Sequence, residues 1–219
     1  MKDLIIVGNK TYAQMMKKYI EMTSSRHVLA YVVDKEYIKS PIQDGISVIS
    51  FDELFDGCFG QDIALIMGIG YIRMGNVRKN VFERCKKAGF EFENYIHPTA
   101  ILPPDLQIGE GNNILESVIF EAGVSIGNAN FFCGGSIIGH DSSIGDYNTF
   151  SVNAATAGFV HVKNNCFIGV SAAIKDHVTL HDYVLLGAMA CGFKDIEEYS
   201  VVSPAKSEIL HDKKSTDIF

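Results

Sequence analysis

The chain has 219 residues, of which 47% are hydrophobic, and carries a formal net charge of −7, which argues against nucleic acid or an anionic membrane surface as its main partner. Its length allows one large or two modest domains. No apolar run approaches the ~18 residues of a membrane span, and the stretch before Gly8 is too short for a signal peptide, so we expect a cytoplasmic protein without membrane insertion. Five cysteines without a CxxC pair indicate reduced, mostly buried thiols: Cys58, Cys85, Cys133, Cys166 and Cys191.

Strand and helix patterns alternate over the first 95 residues. Apolar runs predict strands at 4–7, 28–33, 48–49 and 63–67, and helical spacing predicts helices at 11–22, 51–55 and 74–88. Such alternation is typical of a small parallel, Rossmann-like α/β domain, which we assign to residues 1–95.

Ligands of such domains bind at the carboxyl ends of the strands, often at a helix N-terminus. Gly8, Asn9 and Asp34 lie where the phosphates and ribose of a nucleotide would be expected. The loop after Gly8 lacks two of the three glycines of the G-x-G-x-x-G motif. The pattern therefore also allows a plain tight turn at Gly8 and a strand end at Asp34.

A six-residue register follows, in which fifteen of sixteen positions are large and apolar. A period of six fits neither a helix nor simple strand alternation, but it is typical of a solenoid whose short strands meet at corners. The register comprises Ile96, Leu102, Ile108, Ile114, Phe120, Ile126, Phe132, Ile138, Ile144, Phe150, Thr156, Val162, Ile168, Ile174, Leu180 and Leu186.

Columns spaced by eighteen residues complete the pattern and indicate three faces per turn. One column holds asparagines, which we expect to hydrogen-bond along one corner as stacked amides do. Its members are Asn112, Asn130 and Asn148, followed by Cys166 and Val184. The sequence therefore predicts a left-handed parallel β-helix over residues 96–192 and a C-terminal tail over 193–219.

His140 and Asp141 follow the register residue Ile138, which places them at a corner. The residues eighteen positions before and after His140 are Ala122 and Gly158, whose small size leaves room for a ligand. Acyl transfer needs a base for the attacking amine or hydroxyl and a donor for the oxyanion, and His140 with the Gly158 N–H can supply them. Asp141 can raise the basicity of the imidazole and fix its tautomer. By spacing alone, the pattern favours a solvated corner over a catalytic pair.

Four segments together resemble one bacterial family: Gly-His-Asp-Ser-Ser-Ile-Gly-Asp-Tyr at 139–147, Ala-Gly at 157–158, Cys-Phe-Ile-Gly at 166–169 and Ser-Pro-Ala-Lys at 203–206. They resemble the sialic acid O-acetyltransferase family, which includes N-acetyltransferases of nucleotide-linked 4-amino-sugars in surface-glycan synthesis. The similarity covers almost the whole chain and is most specific in the β-helix half.

The resemblance implies a homotrimeric, CoA-dependent sugar N-acyltransferase that uses acetyl-CoA as co-substrate and requires no metal. It implies His140 as the catalytic base, Asp141 as its orienting carboxylate and Gly158 as the contact to the acyl carbonyl. It assigns acetyl-CoA to a groove between subunits, at Ala157, Gly158, Ala173, Ala188 and Lys206. It assigns the nucleotide-linked amino-sugar to Gly8, Asn9, Asp34 and Thr149.

Three departures from the family pattern affect these assignments. The glycine-rich loop is depleted, and Thr149 replaces a second histidine that some relatives place nine residues after the base. Val202-Ser203 stands where a glycine usually precedes the Pro-Ala-Lys stretch.

Three other functions stay open. The sequence does not distinguish N-acylation from O-acylation of sialic acid or another sugar. A metal enzyme similar to the γ-class carbonic anhydrases would need three converging histidines. The candidates for such a site are His140, His161, His177 and His181. The last alternative is a solenoid that binds a partner or a sugar nucleotide without turnover.

Overall fold

The computed structural model describes residues 2–57, 59, 63–207, 209 and 216, in which an α/β unit is followed by a solenoid. Cys58 and most of the predicted tail beyond residue 207 lie outside the described residues. The four described cysteines are unpaired thiols. None of the described helices is long and apolar enough to cross a membrane.

The α/β unit contains one five-stranded sheet with the order β3-β4-β2-β1-β5, parallel except for the antiparallel pair β3 and β4. Strands β1 and β5 are almost entirely buried apolar runs, as expected for a sheet covered on both faces. The strands are Asp3–Val7 (β1), Val28–Val33 (β2), Ile42–Gln43 (β3), Ile46–Ser50 (β4) and Ile63–Met67 (β5). The helices are Thr11–Thr23 (α1), Phe51–Phe55 (α2) and Asn76–Lys87 (α3), with a 3-10 helix at Lys35–Tyr37.

The solenoid consists of two-residue strands on three faces, stacked in parallel with eighteen residues between partners. Face 1 holds Gln107–Ile108 (β7), Ser125–Ile126 (β10), Ser143–Ile144 (β13), His161–Val162 (β16) and Thr179–Leu180 (β19). Face 2 holds Tyr95–Ile96 (β6), Asn113–Ile114 (β8), Phe131–Phe132 (β11), Thr149–Phe150 (β14), Phe167–Ile168 (β17), Leu185–Leu186 (β20) and Val201–Val202 (β22). Face 3 holds Ile119–Phe120 (β9), Ile137–Ile138 (β12), Ala155–Thr156 (β15), Ala173–Ile174 (β18) and Cys191–Gly192 (β21).

The six-residue register gives the second residue of each strand, and from Ile114 to Leu186 these side chains are buried. The predicted parallel β-helix is therefore confirmed. Two early members differ: Leu102 lies outside the strands, and Ile96 at the open end of the stack is 41% exposed.

The predicted asparagine ladder is present along the corner between faces 1 and 2. The Asn112 Oδ1 accepts from the backbone N–H of Asn130 at 2.8 Å, and the Asn130 Oδ1 accepts from that of Asn148 at 2.8 Å. A second ladder, which the sequence analysis missed, runs beside it through 18-spaced side chains: Asn128, Asp146, Asn164 and Asp182.

The solenoid sheet continues beyond residue 192. Strand β22 pairs in parallel with β20, although the segment between β21 and β22 breaks the six-residue spacing. The predicted tail thus contributes a strand to face 2.

The α/β unit packs on face 2 through a fully buried arginine. The Arg78 Nη2 donates to the carbonyl oxygens of Tyr147 at 2.5 Å and Asn148 at 2.9 Å, and to the Thr149 Oγ1 at 3.1 Å. Phe131 on the same face is fully buried, with its ring centroid 4.8 Å from that of Tyr12. Face 2 is therefore covered by the chain's own first half along most of its length, up to its last strand, where Val201 is 72% exposed.

We expect Asn130→Ala to lower the free energy of unfolding by about 3 kcal/mol or more, since it removes buried hydrogen bonds worth ~1–3 kcal/mol each when one partner stays unpaired. The side chain is 1% exposed and also donates to the Gly145 carbonyl oxygen at 2.8 Å. Chemical denaturation measures the change. Asn80→Ala, at an exposed helical position, is the control and should be neutral or slightly stabilising, because alanine is the better helix former. An equal change in the free energy of unfolding for Asn130→Ala and Asn80→Ala would show that the asparagine ladder does not stabilise the solenoid.

Candidate active site

His140 lies at the corner that joins β12 on face 3 to β13 on face 1, with its side chain half exposed. Its Nδ1 is 2.9 Å from the Asp141 Oδ2. If Nδ1 donates to this carboxylate, Nε2 is left with a lone pair that can accept a proton. The structure thus brings His140 and Asp141 together as the sequence predicted.

Gly158 lies against the His140 ring. A Cβ atom built on Gly158 would be 2.5 Å from the His140 Nε2, so a larger residue would collide with the imidazole. The small residue one turn on therefore makes space for the imidazole ring itself. The Gly158 N–H has no hydrogen-bond partner within the described residues, and Gly158 itself is buried beside the imidazole.

An aromatic strip continues from His140 along the later turns. The Phe159 ring meets the His140 ring edge-on with centroids 5.1 Å apart, and the His177 ring stacks on Phe159 at 4.8 Å. The six-residue register does not predict this strip. It was readable as the 18-spaced column that holds Asp141, Phe159 and His177.

The alanines predicted to contact acetyl-CoA are exposed along one side of the solenoid. Ala157 lies at the corner beside Gly158, and Ala173 is the outward residue of β18. Ala188 lies at the corner between β20 on face 2 and β21 on face 3, close to where Pro204 packs against Gly187. Lys206, two residues beyond Pro204, is exposed.

Thr149 does not fit its predicted place in the acceptor site. It is 2% exposed beneath the α/β unit, and its hydroxyl accepts a hydrogen bond from Arg78. Thr149 therefore holds the two halves of the chain together. The sequence register places Thr149 on the outer side of face 2 but contains no sign that another part of the chain covers it.

Gly8, Asn9 and Asp34 gather at the carboxyl edge of the α/β sheet, as predicted. Gly8 has a left-handed backbone with φ of 101°, and the Asn9 side chain contacts the Tyr37 carbonyl oxygen at 3.4 Å. The Asp34 Oδ1 pairs with the Arg84 Nη1 at 2.7 Å.

The N-terminus of α1 opens onto this edge. It has no side-chain cap and no acidic residue in its first turn, so its positive end can accept an anion.

The histidines considered for a metal site have other surroundings. His161 Nδ1 is 2.7 Å from the Ser143 Oγ, and His177 is stacked on Phe159. Among the described residues, no group of three or more His, Cys, Asp or Glu side chains is placed to hold a metal ion.

Comparison with known proteins relates this chain to sugar N-acetyltransferases. No protein-family model matches the sequence. The chain is 28% identical over 175 residues to the GDP-perosamine N-acetyltransferase of Escherichia coli O157:H7, which covers 78% of this chain and 75% of the relative.

Two solved structures share the fold. PerB from Caulobacter crescentus, in complex with CoA and GDP-perosamine, is 24% identical with a TM-score of 0.79, covering 92% of this chain and 93% of that one. The acetyltransferase domain of PglB from Neisseria gonorrhoeae, in complex with acetyl coenzyme A, is 19% identical with a TM-score of 0.80, covering 93% and 99%.

The prediction of an acyltransferase is confirmed. The structural neighbours are left-handed β-helix acetyltransferases, so that part of the predicted fold is confirmed as well. The finer resemblance, to the sialic acid O-acetyltransferase family in particular, stays a prediction.

We expect Gly158→Ala to displace the His140 imidazole, because the new methyl group would overlap its Nε2. Imidazole 15N NMR shifts, or a crystal structure of the variant, would detect the movement. Gly192→Ala is the control, since a Cβ there would meet its neighbours at 3.4 Å or more, which is ordinary contact. An unmoved ring in Gly158→Ala would contradict the packing described above.

Proposed function

We propose that this protein transfers the acetyl group of acetyl-CoA to the amino group of a nucleotide-linked amino-sugar, with His140 as general base. The amine attacks the thioester carbonyl, a C–N bond forms, and the C–S bond breaks to release CoA. The His140 Nε2 takes the proton from the amine and returns it to the leaving thiolate. The pairing of Asp141 with Nδ1, which leaves Nε2 beside the unpaired Gly158 N–H, is the observation that carries this proposal.

The α/β unit, residues 1–95 in our division of the chain, is proposed to bind the nucleotide. Its parallel strands run in the order β4-β2-β1-β5, which matches half of a Rossmann-like doubly wound sheet. The uncapped N-terminus of α1 would receive the phosphates. Asp34 is held by Arg84 through Oδ1, which leaves Oδ2 for a ribose hydroxyl.

The arrangement of the two halves favours a homotrimer with shared sites. The α/β unit covers face 2, whereas His140 lies at the corner between faces 3 and 1, on the opposite edge of the prism. A sugar held by one α/β unit would therefore reach the His140 of a neighbouring subunit. Face 3 also carries apolar outward residues that a neighbour would cover: Ile101, Ile119 and Ile137.

In this proposal the two halves of the chain have separate roles. Residues 96–192 would supply the base and the acetyl-CoA groove, with Ala157, Ala173 and Ala188 along it, and Lys206 from the tail at its far end. Acceptors that offer only hydroxyl groups, such as sialic acid, test the alternative O-acetyltransferase.

We expect His140→Ala to reduce the rate of CoA release from acetyl-CoA and GDP-perosamine by about 10²–10⁴-fold, because general base catalysis is lost. A thiol-detection assay measures the rate, with dTDP- and UDP-linked amino-sugars and sialic acid as further acceptors. Acetyl-CoA binding, followed by calorimetry, should persist, because the half-exposed ring does not support the core.

His161→Ala is the matched control and should retain activity. Full activity of His140→Ala would contradict the proposal. Turnover of no acceptor by the unaltered protein would favour the non-catalytic solenoid.

We expect Asp34→Asn to raise KM for the nucleotide-linked sugar and to leave kcat nearly unchanged, because the carboxylate contacts the nucleotide and not the reacting amine. Steady-state kinetics at saturating acetyl-CoA separates the two constants. Glu36→Gln, at an exposed position on the neighbouring 3-10 helix, should change neither. An unaltered KM in Asp34→Asn would exclude the ribose contact.

A further inference from the structure

The backbone hydrogen bonds between the strands of face 3 are interrupted at one residue, Gly139, immediately before His140. The Gly139 N–H donates to the side-chain Oγ1 of Thr156 at 2.9 Å. At equivalent positions the N–H donates to a backbone carbonyl oxygen of the next turn: Glu121 to Ile138 at 3.0 Å, Ala157 to Ile174 at 2.9 Å and Lys175 to Gly192 at 2.9 Å. In agreement, β12 and β15 pair through a single residue pair, whereas β15 and β18 pair through both residues.

Thr156 is also the polar exception in the six-residue register. Its side chain is 6% exposed, in a position that is apolar in every other strand of the series. A buried hydroxyl is costly unless it is hydrogen-bonded, and valine would fill the same space without that cost. Valine would, however, leave the Gly139 N–H without this acceptor. The hydrogen bond to the Gly139 N–H therefore explains why a buried threonine occupies this apolar position.

The next amide is held by a second side chain. The His140 N–H donates to the Glu121 Oε2 at 2.8 Å, from the turn before. Because this hydrogen bond has a carboxylate acceptor, it is among the stronger kinds. Two consecutive amides, those of Gly139 and His140, are thus fixed by side-chain oxygens from the turns on either side.

We propose that Thr156 and Glu121 are positioning residues for His140, which fix the backbone that aims its imidazole at Asp141 and Gly158. Neither side chain needs to touch the substrate. Misplacement of a reacting group by 1 Å can cost on the order of 10²-fold in rate, so holding both amides matters to a base on an exposed corner. The inference rests on the proposed role of His140.

The decisive variant is Thr156→Val, which keeps the shape of the side chain and removes the hydroxyl. We expect kcat for acetyl transfer to fall about ten- to hundredfold, with KM for both substrates within about twofold. Thr156→Ser, which keeps the hydroxyl, should restore most of kcat. Thr179→Val, the same change on the outer side of face 1, should have no effect.

Three results would overturn the inference: an unaltered kcat in Thr156→Val, an equal loss in Thr156→Ser, or losses that follow melting temperature. Glu121 is exposed, so its variants do not endanger folding. Glu121→Ala should lower kcat more than Glu121→Gln, which keeps an acceptor, and equal rates for the two would also count against the proposal.

NMR separates this inference from the proposed function. The His140 imidazole 15N shifts should change in Thr156→Val and return in Thr156→Ser, whatever reaction the protein catalyses. Unchanged shifts would overturn the positioning role by themselves. Activity that survives His140→Ala would instead overturn the proposed function, while shifts that respond to Thr156 would still support positioning.

Discussion

The stacking of each turn on the next at a fixed spacing is the constraint on which the rest of this structure depends. Parallel strands lie about 4.8 Å apart, so every residue has a neighbour eighteen positions away whose backbone it must match. At the corner between faces 1 and 2, side-chain amides and carboxylates accept from backbone N–H groups of neighbouring turns, in addition to the backbone hydrogen bonds there. The same spacing places Gly158 directly against His140.

The second constraint is the buried contact between the two halves. Burial lowers the pKa of Arg78 from 12.5 to about 10, so the side chain is still charged at neutral pH. Its Nη2 makes three hydrogen bonds to the solenoid, whereas Nε and Nη1 have no partner among the described residues. A buried cation tolerates little movement of its acceptors. Arg78 therefore fixes the orientation of the α/β unit relative to the solenoid.

Periodic features were predictable from the sequence because each turn repeats one physical requirement. The inward positions, the asparagine ladder and the corner location of His140 all follow from counting in sixes and eighteens. Contacts between unlike parts of the chain were not predictable in this way. Thr149 was wrongly assigned to the acceptor site, because the six-residue register does not show which outward residues the α/β unit covers. Thr156 stood out in the sequence, but its role needed the position of the Gly139 amide.

The loop after β1 shows why a depleted glycine motif does not exclude a nucleotide. Two glycines after β5 pack closely against this loop and α1: a Cβ on Gly68 would be 2.6 Å from the Val7 carbonyl oxygen, and one on Gly70 would be 2.6 Å from the Tyr12 ring. The β5 side of the α1 N-terminus is therefore closed by backbone. Asn9 and Asp34 lie toward β2 instead: the Asn9 side chain contacts the Tyr37 carbonyl oxygen, and Asp34 directly follows β2. The N-terminus of α1 thus has no side-chain cap even without the full glycine motif, and the proposed nucleotide site depends on that feature.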